Sequence, residues 1–125
     1  MGLMATLRIV TPLSRSCLYR HASVWANGKV YHLNESGAHC DSEEAFMRTR
    51  KVIRETKATK SDAEVEAYYR QVCDKPFSYI TYNCEHFAYG AAFGKEQSPT
   101  VKGYIIAAFA VACVAASIYW YYKRH

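Results

Sequence analysis

The sequence lacks a framework of paired cysteines, a secretory leader and any repeated or low-complexity segment. Its five cysteines are odd in number and scattered, at positions 17, 40, 73, 84 and 113. No apolar leader with a basic start precedes them, which argues against a disulfide-stapled secreted domain. The thiols are therefore expected to be reduced, with the N-terminal part of the chain facing the cytosol.

A basic stripe interleaved with exposed aromatic side chains, the usual mark of nucleic-acid binding, is also missing. The net charge of +5 still favours an anionic surface, and we interpret it as attraction to the cytosolic leaflet of a membrane. Cys84, His86, His39 and Cys40 have spacings that match no closed structural zinc pattern. The sequence thus predicts a membrane partner, no nucleic acid, no metal and no cofactor, and it leaves the oligomeric state open.

The longest uncharged run is residues 103–122, GYIIAAFAVACVAASIYWYY, which is long enough for a helix to cross a hydrocarbon core of about 30 Å. So short a chain could hardly wrap a core helix of this polarity on every side. Aromatic residues cluster at the end of the run, where they favour the headgroup region. The sequence predicts a domain over 1–96, a linker over 97–102, a transmembrane anchor over 103–122 and a basic tail over 123–125.

A β-hairpin is predicted over residues 18–33 by Asn27-Gly28, which stands between two β-prone runs and is typical of a two-residue type I′ turn. Side chains alternate along a strand, so this register makes His21 a diagonal neighbour of His32. The hairpin is therefore expected to place two imidazoles side by side.

Local patterns predict the other elements of the domain. They are a strand over 6–10, a helix from about 41 to 54, a helix after the capping box of Ser61 and Glu64, and a β-prone stretch over 77–82. The predicted helices are interpreted as packing elements.

Asn83 is a good N-cap for a helix over 84–93 that Gly94 would end. Cys84 then occupies the first helical position, where the helix dipole favours the thiolate and should lower the thiol pKa. A nearby imidazole could take the proton. These residues alone leave Cys84 open to interpretation as a nucleophile or as a buried structural thiol, and they predict that His86 caps or packs.

Four segments resemble the lecithin:retinol acyltransferase-like family. They are Tyr19-Arg20-His21, Tyr31-His32-Leu33, the run NCEHF at Asn83 to Phe87, and the apolar C-terminal tail. The likeness is strongest to the small phospholipase A and acyltransferase branch named for suppression of H-Ras. NCEHF is specific to that family, and the order of the four segments covers nearly the whole chain.

The resemblance implies an α+β fold: a circularly permuted papain-like NlpC/P60 arrangement with an antiparallel sheet packed on helices, plus one C-terminal transmembrane helix. It implies that Cys84 is the nucleophile, His21 its general base and His32 the residue that orients His21. Such enzymes cleave an acyl ester of a glycerophospholipid, hold the acyl group as a thioester, and pass it to water, a lysolipid or phosphatidylethanolamine.

The chain also departs from its relatives. Ala22 stands where close relatives carry tryptophan, and the segment between His32 and Cys84 is shorter than usual. These differences thin the walls around the expected site. They support an alternative from another class: a catalytically weak relative, as among viral members of the family, that binds lipid or a partner protein.

Overall fold

The computed structural model describes residues 4–13 and 20–124, so Cys17, Tyr19 and His125 of the predicted features lie outside the described residues. The strands are β1 (Met4–Pro12), β2 (His21–Ala26), β3 (Lys29–Asn34), β4 (Gly37–Ser42) and β5 (Arg50–Ser61). The helices are α1 (Glu43–Met47), α2 (Asp62–Val72), α3 (Cys84–Phe93) and α4 (Pro99–Arg124). The strands form an open antiparallel sheet in the order β4-β3-β2-β1-β5. The predicted α+β class is confirmed, while the permuted papain-like arrangement stays a prediction.

The β2–β3 hairpin has the turn that its sequence predicts. Asn27 and Gly28 both have positive φ, at 57° and 70°, as a type I′ turn requires. The register places Trp25 opposite Val30. The hairpin therefore has the alternation that the sequence indicates.

The sheet carries a separate hydrophobic cluster on each face. The larger cluster, covered by α2 and α3, includes Ala22, Val24, Tyr31, Leu33 and Phe87. The smaller cluster consists of Val10, Val30 and Phe46, with Trp25 packed against it. Because consecutive strand residues face opposite sides, the sequence position of a residue in β2 or β3 decides which cluster it joins.

The predicted helix over residues 41–54 is wrong. Only Glu43–Met47 is helical, and Arg50–Ser61 forms the longest strand. This strand pairs along β1, with Val52 opposite Val10 and Lys57 opposite Thr6. The partner edge of β1 satisfies the backbone of β5, and this outweighs the weak local preference of its charged residues.

The β-prone stretch over 77–82 is wrong as a strand. Ser78 and Tyr82 form one isolated bridge, and the residues between them form a turn. Without a longer partner edge, β propensity alone does not extend a strand.

Helices α2 and α3 begin as predicted. Ser61 and Glu64 make both hydrogen bonds of a capping box at the start of α2, and Val65 is buried beneath it. Asn83 is the N-cap of α3, and Gly94 ends that helix with φ at 76°, a backbone conformation that glycine adopts without strain.

Helix α4 has 26 residues, about 39 Å at 1.5 Å per residue. Within the described ranges it is the one helix long and apolar enough to cross a membrane, and the domain buries none of its apolar window. It begins at Pro99, inside the predicted linker, because Ser98 caps it by accepting a hydrogen bond from the Val101 amide (3.2 Å). The structure thus contains a candidate C-terminal span, and the cytosolic orientation of the domain stays a prediction.

Candidate active site

Cys84 is the first residue of α3 and is partly buried. The helix is held against the sheet by Phe87, Ala88 and Ala91, whose side chains are fully buried. At the helix start, the Asn83 side-chain oxygen accepts hydrogen bonds from the backbone amides of Glu85 (2.9 Å) and His86 (3.2 Å). The packing and the cap together fix the position of the thiol at the end of the helix.

His86 completes this cap. Its Nδ1 atom accepts a hydrogen bond from the Asn83 amide at 3.0 Å, which makes the cap reciprocal. The prediction that His86 caps or packs is confirmed.

The electrostatic setting of Cys84 differs from the prediction. Burial raises the pKa of the Cys84 thiol, and the Glu85 carboxylate adds to the rise. Hydrogen bonds from the backbone at Ala22, Glu85 and Cys84 favour the thiolate, but they do not offset the loss of solvent. The expected lowering of the pKa by the helix terminus is therefore wrong for the resting protein.

This setting predicts slow alkylation. Cys84 is expected to react several-fold more slowly with iodoacetamide at pH 7 than the exposed Cys40 and Cys73, because both access and thiolate fraction are reduced. Peptide mass mapping of the full-length protein in detergent measures the three rates, and the same measurement in denaturant is the control in which they converge. Faster reaction of Cys84 than of the exposed thiols would show an activated thiolate and contradict the raised pKa of Cys84.

A large apolar cleft, the Cys84 cleft, opens beside the thiol. Its volume is 1190 Å³, somewhat above the range of about 300–1,000 Å³ that is usual for small-molecule sites. Besides Cys84 its walls include Ile9, Ile53, Phe77 and Ile80 from the domain, and Tyr104 and Ile105 from the first turns of α4. The cleft therefore lies between the candidate nucleophile and the candidate membrane span.

Glu85 connects α3 to α4, a role that sequence reasoning missed. Its Oε1 atom accepts hydrogen bonds from the Ser98 hydroxyl (2.6 Å) and the Thr100 amide (3.1 Å) at the start of α4. Asn83 adds a bond from its side-chain nitrogen to Ser98 Oγ (3.2 Å). The Ser98-Pro99 pair is a recognisable helix-start signal, but its carboxylate partner is set only by the fold.

The two hairpin imidazoles form a hydrogen-bonded chain with Asp41. His32 Nε2 lies 2.7 Å from Asp41 Oδ2, and His32 Nδ1 lies 3.0 Å from His21 Nε2. Burial lowers the pKa of His32 against the opposing effect of Asp41, so His32 is neutral near pH 7. Its Nε2–H then donates to the carboxylate, and its Nδ1 accepts from His21 Nε2–H. Asp41 is the third member of this chain, and no local sequence pattern marks it as a partner of His32.

Burial, followed by the charges of His32, Arg50 and His39, lowers the pKa of His21 to about 3. His21 is therefore neutral at pH 7 and, with its Nε2–H donated to His32, has its Nδ1 lone pair as the site for a proton.

The structure brings His21 and His32 together but does not bring Cys84 to them. His21 and Ala22 are consecutive in β2, so they face opposite sides of the sheet. Ala22 packs in the cluster that Cys84 joins, whereas the His21 ring lies 6.2 Å from Phe46 on the other face. Among the described residues, no hydrogen bond joins Cys84 to either imidazole. The nucleophile, base and orienting roles of the three residues stay predictions.

A search of the described residues finds no group of three or more histidine, cysteine, aspartate or glutamate side chains arranged to hold a metal ion. Comparisons with protein-family models, with curated proteins and with solved structures find no match to this chain.

Proposed function

We propose that the protein is a membrane-anchored thiol acyltransferase of the lecithin:retinol acyltransferase-like type, with phospholipase A activity toward glycerophospholipids. The observation that carries the proposal is the Cys84 cleft, which joins a thiol at a helix N-terminus to the first turns of α4. An acyl ester drawn from the bilayer reaches Cys84 along apolar walls.

The mouth of the cleft supports a lipid substrate. Ile80, Tyr79 and Tyr104 line it and are 67%, 67% and 73% exposed. Exposed apolar side chains grouped around one opening mark a lipid or partner surface. Because Tyr104 belongs to the candidate span, the proposed membrane surface is next to this opening, and we take lipid as the partner.

The proposed reaction begins with attack of Cys84 Sγ on the ester carbonyl carbon. The C–O bond to glycerol breaks, and the released oxygen takes the proton that the Cys84 thiol gave up to the base. Water, a lysolipid hydroxyl or the amine of phosphatidylethanolamine then attacks the thioester carbonyl, the C–S bond breaks, and the proton lost by the attacking group restores the Cys84 thiol. The backbone at Ala22 and Cys84, which hydrogen-bonds to the thiolate, supplies donors of the type that stabilises the developing oxyanion.

The proposal keeps His21 as the base and His32 as the residue that orients it. This role requires His21 to turn from the Phe46 side of the sheet toward α3. Its chain neighbours Arg20 and Ala22 line the Cys84 cleft, so the start of β2 is the segment that this turn has to alter.

Capture of the acyl-enzyme tests the proposal. Full-length protein in detergent micelles, mixed with a phosphatidylcholine of defined chains, is expected to gain one acyl mass that hydroxylamine removes. The gain should be lost in Cys84→Ala and kept in Cys73→Ala, the matched control at an exposed thiol. Intact-protein mass spectrometry measures both. A gain that survives Cys84→Ala would contradict the assignment of the nucleophile.

The resting geometry favours a second candidate, a lipid-binding module without turnover. Its support is the raised pKa of Cys84 and the placement of the imidazole pair on the opposite face. This candidate expects no acyl mass on the wild-type chain, together with saturable binding of a fluorescent phosphatidylcholine that Cys84→Ala leaves unchanged. The same two measurements thus separate enzyme from binder.

A further inference from the structure

A second pocket, the arginine pocket, lies at the end of the sheet where β1 and β3 finish and β2 and β5 begin. It has a volume of 250 Å³ and is lined by Val10, Pro12, Arg20, His21, Asn34 and Arg50. Its polar groups are two guanidinium groups, one imidazole and one amide. No carboxylate from the described part of the chain lines it.

Arg50 is a well-fixed cation of the arginine pocket. Its Nη1 atom donates to the Phe46 carbonyl at 2.9 Å, and its guanidinium carbon lies 4.3 Å from the centroid of the Phe46 ring. The side chain is partly buried, and no carboxylate within residues 4–13 and 20–124 forms an ion pair with it. A partly desolvated guanidinium without a counter-ion is stabilised by any anion that reaches its remaining N–H groups.

The neighbouring groups make the arginine pocket suitable for an anion. The side-chain oxygen of Asn34 accepts from Ser36 at 2.9 and 2.6 Å, so the amide nitrogen of Asn34 is the group available to donate. The charge of Arg50 is among the causes that depress the pKa of His21, after burial and His32. The field at this end of the sheet is therefore positive.

Arg20 lines both the arginine pocket and the Cys84 cleft. The geometry points to the arginine pocket as a binding site for a phosphate-type oxyanion held by Arg50 and Arg20. Guanidinium groups bind phosphate oxygens through paired, charge-assisted hydrogen bonds. The identity of the oxyanion rests on the proposed function. Its source is then the phosphodiester of a phospholipid headgroup, and the acyl chain of the same lipid enters the adjoining cleft. Inorganic phosphate presents the same chemistry and is the other source.

Titration of full-length protein in detergent micelles tests this site. Inorganic phosphate is expected to bind, as followed by the broadening of its ³¹P resonance, and a short-chain phosphatidylcholine should displace it. The matching diacylglycerol, which lacks the phosphate, should not. Arg50→Gln should weaken phosphate binding about tenfold or more, since it removes a charge-assisted pair of hydrogen bonds.

Lys51→Gln is the matched control. It removes the same charge from the next residue of β5, which pairs with Thr11 and does not line the pocket. Binding should be as in the wild type. Because Arg50 also packs on Phe46, Arg20→Gln at an exposed side chain serves as a second variant, with thermal melting of all three variants recorded to confirm folding.

The outcomes separate the phosphate site, the source of the phosphate and the proposed enzyme from one another. Wild-type phosphate affinity in folded Arg50→Gln and Arg20→Gln would overturn the site. Phosphate binding that phosphatidylcholine does not displace would keep the site and overturn the headgroup as its source. Phosphate binding that depends on Arg50, without any acyl-enzyme, would support the site and reject the proposed enzyme. An acyl-enzyme together with phosphate binding that does not depend on Arg50 would support the enzyme and reject the site.

Discussion

A chain that ends at Lys102 is expected to leave the membrane fraction and stay in solution. The deletion removes the apolar part of α4, in which no residue is buried by the domain. Each Ile, Val or Phe at the centre of a span contributes about 0.3–0.6 kcal/mol to insertion, and no described element replaces that surface. Fractionation with a carbonate wash measures the change.

The matched control for this deletion removes only residues 123–125, which lie after the apolar run. That variant should stay in the carbonate-resistant fraction. Because Tyr104 and Ile105 also form one wall of the Cys84 cleft, the chain that ends at Lys102 should bind long acyl chains more weakly than the full-length protein. Carbonate-resistant association of the shorter chain would contradict α4 as the anchor.

Acid is expected to destabilise the domain strongly through His21. Its pKa is about 3 in the folded protein and about 6.5 in an unfolded chain. At pH values between these two pKa values the unfolded state binds one more proton than the folded state, so the free energy of unfolding falls as the pH falls. The loss is about 1.4 kcal/mol per pH unit, or about 2 kcal/mol between pH 7 and pH 5.

Urea unfolding of the chain that ends at Lys102, at pH 7 and pH 5, measures this loss. His21→Gln cannot take up the proton and should lose most of this pH dependence. The lowered pKa of His32 acts in the same direction, so His21→Gln with His32→Gln should flatten it further. Equal pH dependence in the wild type and His21→Gln would show that His21 is not held neutral by the fold.

Local signals in the sequence predicted the elements that carry the candidate site. Asn27-Gly28 predicted the hairpin that pairs His21 with His32, since a type I′ turn sets the register by itself. Asn83 and Gly94 predicted both ends of α3 because caps act within one turn of the helix. The β5 strand was missed because its pairing with β1, distant in sequence, decides its conformation.

The sequence by itself determined three things: the hairpin imidazole pair, the helix that begins at Cys84 and the long apolar C-terminal helix. Each depends on turn chemistry, capping or composition, which act over a few residues or one segment. Only the tertiary structure decided which face of the sheet each group occupies. It packs α3 on the Ala22 side and α1 on the His21 side, because hydrophobic burial selects which face each helix covers. The raised pKa of Cys84 and the hydrogen bond from the Ser98 hydroxyl to Glu85 follow from that packing.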